Sequence, residues 1–288
     1  MIQSLLTHWP EFLIEGSLLG VFMVAACLAV FAVEHPRSLV RARLACPDCR
    51  RFVVGILMGI TAVALIYSTP GQRSGAHMNP GTTLAFLTLG KVQPWDALFY
   101  IVSHFIGGLL GVLLSGAALR STISDPSVNY VVTEPGRPGV AVAWAGEFIV
   151  SFLMMGVVLV SSNHRDTASY TGFFAGGILA ASIAIEAPLS GTSLNPARTL
   201  ASAIPARSFR SLWVYFTAPP VGMLAAAALY MSLFGSGGVH CAKLNHDGTG
   251  RCLFNCTIHE MTAVAPTPDG SFGIQRHGRV CRSAPPSH

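Results

Sequence analysis

Two stretches decide how this chain folds: SGAHMNPGTTLAFL (74–87) and SGTSLNPARTLASA (190–203). In each, Ser-Gly is followed after three residues by Asn-Pro, and the two Asn-Pro pairs lie 116 residues apart. Asparagine is a favoured helix cap, and proline is tolerated at the first helical position because its missing N–H would have no partner there anyway. Both pairs therefore read as helix starts. A single Asn-Pro would more simply be a surface turn, but two in matched surroundings point to a structural device. The small and apolar segments that follow, 81–87 and 197–203, are too short to cross a membrane but long enough for about two helical turns.

The surroundings are those of a membrane protein. Of 288 residues, 51% are hydrophobic and 11% charged, against about 25% charged in soluble domains, and the mean hydropathy is +0.54. Apolar blocks fall at about 12–33, 52–69, 95–119, 140–162, 171–189 and 212–234. Each is near the 20 or so residues that a helix needs to cross roughly 30 Å of hydrocarbon. No basic residue precedes the first block, which is expected to be a permanent span rather than a cleaved leader. An even number of spans puts both termini on one side. The expected organisation is a transport unit over 1–235, with repeats at about 12–119 and 140–234, then a polar Cys/His-containing tail over 236–288. Residues 263–288 have the composition of a disordered segment.

The two halves repeat. Glu15 lies just inside the first block and Glu147 just inside the fourth, and each half carries its Asn-Pro motif between its second and third spans. Three spans per half force the second half to enter from the opposite face, so the two motif loops dip toward each other. Irregular backbone at membrane depth is tolerated only when buried in protein or lining a watery cavity. A pore is the simplest such cavity.

At these residues the sequence resembles the major intrinsic proteins (aquaporins and aquaglyceroporins), whose pattern is Ser-Gly-x-His-x-Asn-Pro-Ala in the first half and Asn-Pro-Ala-Arg in the second. The likeness covers about 10–235. It implies an all-α, right-handed bundle of six transmembrane helices with two re-entrant half-helices in an inverted 3+3 repeat. It also implies a homotetramer with one pore per protomer, passive flux, no required cofactor and a place in the plasma membrane. Gly107, Gly108 and Gly111 would allow the close helix contacts of that fold. Two departures stand out. Gly81 replaces the usual Ala of the first motif, which is expected to loosen the contact between the half-helices, and His104 stands where the family usually has Gln, able to hydrogen-bond a re-entrant loop.

The resemblance carries roles for Asn79, Pro80, Gly81, Asn195, Pro196 and Ala197. Both half-helices point their N-termini at the channel centre, raising a barrier to cations and protons, while the Asn79 and Asn195 amides donate to a passing water. Carbonyls of Gly75, Ala76, His77 and Met78, and of Gly191, Thr192 and Ser193, would form an acceptor ladder. Glu15 and Glu147 would hold the loop backbones in place. A constriction is expected at Arg198, Thr192 and Ile183, with either Met58 or Gly59 from the second span. Ile183 stands where strict water channels carry His, and neither 58 nor 59 is aromatic, which favours a wider, less polar opening. Against a glycerol assignment, Thr199 replaces the usual Asp after Arg198, and Tyr215-Phe216 resembles the aromatic pair of water channels. The reading is a channel for water and small neutral solutes, with a facilitator for glycerol, urea or metalloid hydroxides as the alternative. Glu186 either braces the second loop or lines the outer vestibule.

Six of the seven cysteines carry a reading. Cys27 lies in an apolar span and reads as a packing residue. Cys46 and Cys49 form a close pair in the first loop, a spacing that suits a metal or a redox pair. In the tail, His240, Cys241, His246, Cys252, Cys256 and His259 supply enough ligands for a tetrahedral zinc site, with Cys241, His246, Cys252 and Cys256 the candidate set. Topology puts the first loop and the tail on opposite sides, so they cannot share one metal. No nucleotide-binding loop or catalytic triad is recognisable, and no nucleic-acid partner is expected. The rival classes are a secondary transporter, which would use Glu15, Glu147, His104 and Glu186 as ionisable groups along its route, and a metal-sensing membrane protein built on the tail.

Overall fold

The computed structural model describes residues 1–246 and 252–258, which hold ten α-helices and no strand. Six are long and apolar enough to cross a membrane: α1 (Ile2–Glu34), α3 (Pro47–Tyr67), α6 (Pro94–Leu119), α7 (Val140–Ser162), α8 (Thr171–Ser190) and α10 (Leu212–Phe234). The short helices α2 (Leu39–Arg43) and α4 (Thr69–Ser74) lie in connections, and the half-helices are α5 (Pro80–Thr88) and α9 (Pro196–Ala206). His259 and residues 263–288 lie outside the described residues.

Two spans begin earlier than expected, for local reasons. The first starts at Ile2 and runs through Pro10, because its extra turns dock on the start of α6, where Ser4 Oγ donates to Asp96 and His8 Nδ1 lies 2.9 Å from the same carboxylate. The second starts at Pro47 because Cys46 Sγ caps it, accepting from Cys49 N at 3.3 Å, with Pro47 in the first turn. It ends at Tyr67 because Ser68 turns back to cap α4, accepting from Gly71 N at 3.1 Å.

Packing follows the repeat. α1 lies along α6 as α7 lies along α10, α3 meets α8 across the symmetry axis, and each half-helix packs on the third span of the other half, α5 on α10 and α9 on α6. Glycine permits the closest approach. A Cβ on Gly107 would sit 1.9 Å from Gly16 O, and one on Gly111 would sit 2.3 Å from Gly20 O, so α1 and α6 touch backbone to backbone. Outside the bundle, Leu6, Leu13, Val21 and Leu28 of α1 and Val102, Ile106, Leu110 and Leu114 of α6 are exposed, an apolar surface suited to lipid. The protein is an integral, multi-pass membrane protein.

The chain beyond α10 does not hang free as far as it is described. Val239, Cys241, Ala242, Leu244, Cys252 and Phe254 are buried and join the main core. Hydrogen bonds explain why. His240 N donates to Asn163 Oδ1 at the end of α7 (2.7 Å), and Asn255 donates from its backbone N to Lys91 O (3.0 Å) and from its side chain to Gly90 O (2.7 Å) just after α5.

Candidate functional site

The site is built twice, by the same rules. Glu15, fully buried in α1, accepts from Ser74 Oγ (2.6 Å), His77 N (3.1 Å) and Met78 N (2.7 Å). Glu147 in α7 accepts from Ser190 Oγ (2.7 Å), Ser193 N (2.5 Å) and Leu194 N (2.7 Å). A carboxylate taken out of water is costly unless its lone pairs are filled, and here they are filled by the loops. In a trans peptide the C=O points opposite to the N–H of the same plane. The His77 and Met78 amides face Glu15, so the carbonyls of Ala76 and His77 face away from it, as those of Thr192 and Ser193 face away from Glu147.

That ordering requires an unusual backbone. Ala76 (φ 56°), Met78 (φ 49°), Thr192 (φ 52°) and Leu194 (φ 55°) all lie in the left-handed region, and Gly75 (φ 102°) and Gly191 (φ 82°) open the two loops. Non-glycine residues seldom sit there, and four at matched positions mark strain held by surrounding structure. The Glu carboxylates hold one side. Tyrosines hold another: Tyr100 donates to Ser74 O (2.7 Å) and Tyr215 to Ser190 O (2.5 Å). The Tyr100 anchor was absent from the sequence reading, although Tyr100 and Tyr215 follow their motif asparagines by 21 and 20 residues. Phe216, by contrast, faces outward and stacks on Phe105.

The half-helices meet through their first residues. Asn79 Oδ1 caps α5 by accepting from Gly81 N (2.9 Å), and Asn195 Oδ1 caps α9 by accepting from Ala197 N (3.0 Å) and Arg198 N (3.2 Å). Each amide nitrogen crosses to the opposite loop, Asn79 Nδ2 to Leu194 O (2.8 Å) and Asn195 Nδ2 to Met78 O (2.7 Å). An amide carries two N–H groups, so one from each asparagine is left over. Pro80, Pro196 and Ala197 are buried behind them. Gly81 departs from expectation: a methyl there would meet Met223 Sδ of α10 at 2.8 Å rather than the other half-helix. The missing methyl is matched by the long thioether of Met223, so the substitution does not loosen the contact between half-helices.

His104 also acts differently from a direct loop contact. Its Nε2 lies 2.8 Å from Glu15 Oε2, so it reaches the loop through the carboxylate. Among the described residues the second half has no equivalent, and Glu186 takes up a different task there, accepting from Thr192 Oγ1 at 2.6 Å. Of the expected constriction, Thr192 is buried and held by Glu186, Ile183 is half-buried, and Arg198 Nη1 is buried without a partner among the described residues. Gly59 faces the fifth span, where a Cβ would meet Gly176 O at 2.6 Å, while Met58 lies in the core. Thr199 is wholly buried between Thr133 (2.8 Å) and Ser193 (2.5 Å).

At the first loop the tail completes the site. Gly75 O accepts from Leu244 N (3.1 Å), His77 Nε2 lies 2.8 Å from Ala242 O, and the Phe254 ring stacks on His77 at 5.4 Å with planes 10° apart. Nearby, Cys241 Sγ lies 3.6 Å from Cys252 Sγ and Cys256 Sγ lies 3.4 Å from His246 Nε2. Cys46 and Cys49 are exposed and apart from this group.

Six apolar spans in two matched halves, with two half-helices meeting end to end inside the bundle, define a membrane protein of the inverted-repeat, re-entrant-helix class. Residues 5–230 match the family described as Major intrinsic protein, and the chain belongs to that family. Among its relatives, Aquaporin NIP1-2 of Arabidopsis thaliana is 32% identical over 238 residues, 79% of this chain and 76% of its own. Aquaporin NIP1-3 of Oryza sativa subsp. japonica is 31% identical over 218 residues, 75% of this chain and 71% of its own. Aquaporin NIP6-1 of Arabidopsis thaliana is 38% identical over 173 residues, 60% of this chain, and the match spans 54% of that relative's length. The aquaglyceroporin of Plasmodium falciparum, solved by X-ray methods, shares the fold at a TM-score of 0.64 and 18% identity, over 78% of this chain and 96% of its own.

Proposed function

We propose that the chain is a passive channel, not an enzyme, passing water and small uncharged solutes while excluding ions and protons. The observation that carries this reading is the reciprocal pair of bonds from Asn79 to Leu194 O and from Asn195 to Met78 O. It brings two helix N-termini together, each with roughly half a positive elementary charge, and leaves one amide donor on each asparagine. A water taking both donors through its oxygen has its hydrogens turned away, which breaks a proton wire without stopping water. Ala76, His77, Thr192 and Ser193 carbonyls, facing away from the glutamates, replace the hydration lost on entry. Arg198, with an unfilled donor, repels cations at the outer end.

A secondary transporter would need ionisable groups free to bind a coupling ion. Glu15 and Glu147 are instead engaged with the loops through both carboxylate oxygens, and Glu186 through one, which favours the channel. Within the channel class, aliphatic Ile183 and the absence of an aromatic at Met58 or Gly59 favour a wide opening that also admits glycerol, urea or metalloid hydroxides. The relatives, named as aquaporins, fit a channel, and we propose a homotetramer in the plasma membrane as the working unit. Stopped-flow light scattering on proteoliposomes tests the reading. Water flux is expected without any ion gradient, and Ile183→His is expected to cut glycerol flux severalfold while sparing water. Vesicles no more permeable than empty liposomes would refute the channel, and unchanged glycerol flux in Ile183→His would refute the constriction.

A further inference from the structure

The tail contains a second constellation that water conduction does not require. Cys241 Sγ, His246 Nε2, Cys252 Sγ and Cys256 Sγ all lie within 4.8 Å of one another. A tetrahedral zinc with Zn–S bonds near 2.3 Å and a Zn–N bond near 2.05 Å sets ligand edges of about 3.8 Å for S···S and about 3.6 Å for S···N. The spacings found, 3.6 Å between Cys241 and Cys252 and 3.4 Å between Cys256 and His246, fit those edges. A disulfide does not account for the cluster, since it would join only two of the three thiols. The neighbouring charge points the same way. Lys243 is 3% exposed, and none of the ion pairs among the described residues includes it. A buried ammonium is costly without an anion, and three thiolates around one Zn²⁺ carry a net charge of −1.

We propose that Cys241, His246, Cys252 and Cys256 bind one zinc ion, and that this metal clasps the tail as a cap over the mouth of the pore at the first re-entrant loop. Binding releases the thiol protons to solvent and leaves three thiolates on the metal. The residues between and beside the ligands make the cap. Ala242 and Leu244 bond to His77 and Gly75, and Phe254 lies flat on His77 and edge-on to Tyr100. Gly75 has no room for a side chain, because a Cβ would meet the Phe254 ring at 2.8 Å. The Gly75 carbonyl, expected to serve a passing solute, is taken by Leu244. Metal occupancy therefore sets how tightly this end is covered, and zinc loss should raise permeation.

The cap rests on the channel reading; the metal site does not, and the two are measured separately. The full chain, purified without chelator, is expected to hold about one zinc per chain by elemental analysis, and to give thiolate charge-transfer and tetrahedral d–d bands when reloaded with Co²⁺. Cys252→Ser with Cys256→Ser should lose both, whereas Cys46→Ser with Cys49→Ser should keep them. Wild type without metal and without a tetrahedral Co²⁺ spectrum, or with a Cys241–Cys252 disulfide in the native protein, would overturn the site. For the cap, chelation of the wild type in proteoliposomes should raise water flux severalfold and added zinc should reverse it. Phe254→Ala should raise flux with zinc retained. Flux that is measurable but the same with and without zinc would overturn the cap, while absence of any flux would overturn the channel reading and leave the metal count to stand.

Discussion

Replacing Glu15 by glutamine keeps the size and shape of the side chain but exchanges one acceptor oxygen for a donor. In wild type, Oε1 accepts from Ser74 Oγ and His77 N, and Oε2 accepts from Met78 N and His104 Nε2. The Ser74 hydroxyl can rotate to adapt to an amide, and the His104 ring can do so only by moving its proton to Nδ1, which is buried without a partner among the described residues. The backbone cannot. Whichever way the amide is placed, its nitrogen faces the N–H of His77 or of Met78, leaving two buried donors opposed. At about 1–3 kcal/mol for each unsatisfied buried group, the expected loss is roughly 2–6 kcal/mol. That is a large part of a typical folding free energy of about 5–15 kcal/mol. The first loop should therefore lose its left-handed geometry. The unfolding midpoint of the purified protein in an SDS titration should fall, and water flux should fall with it. Glu147→Gln should behave alike, since Ser193 N and Leu194 N face its two oxygens. If Glu15→Gln unfolds and conducts as wild type does, the carboxylate is not what orders the loop.

Two further predictions concern the frame. Gly107→Ala puts a methyl 1.9 Å from Gly16 O, so α1 and α6 must separate; overpacking of this kind costs about 1–3 kcal/mol or more, and lower yield of folded protein by size-exclusion chromatography is the expected outcome, whereas wild-type yield and unfolding midpoint would show that the contact is looser than described. Tyr100→Phe and Tyr215→Phe each remove one bond to a loop carbonyl, at about 1 kcal/mol each. Because the two tyrosines serve separate loops, the double variant should lose the sum of the single effects in the same SDS titration, and a markedly smaller or larger loss would show that the loops are coupled through the tyrosines.

Much of the architecture was legible because the two halves repeat. Asn79-Pro80 alone is ambiguous, but with Asn195-Pro196 in matched surroundings it became a half-helix start, and α5 and α9 lie there. What could not be read came from contacts between distant segments. The early start of α1 depends on Asp96, 88 residues beyond His8. The partner of Gly81 is Met223, which no local pattern names. Composition marked 236–288 as a polar tail, yet hydrogen bonds to Gly75, Lys91 and Asn163 draw its described residues toward the core. The Tyr100 bond to Ser74 was missed although its spacing was in view, because a tyrosine in an apolar span is usually only packing.

The crossing of the asparagine bonds has a consequence for how the molecule is made. Asn79 finds its acceptor 115 residues later, and α5 packs on α10, the last of these six spans to leave the ribosome. Contacts that close such long loops form late. The first half can insert its spans as it is synthesised, but its re-entrant segment must wait, open, for the whole of the second half. The narrowest part of the molecule is thus the part assembled last, and its formation certifies that both halves are in place.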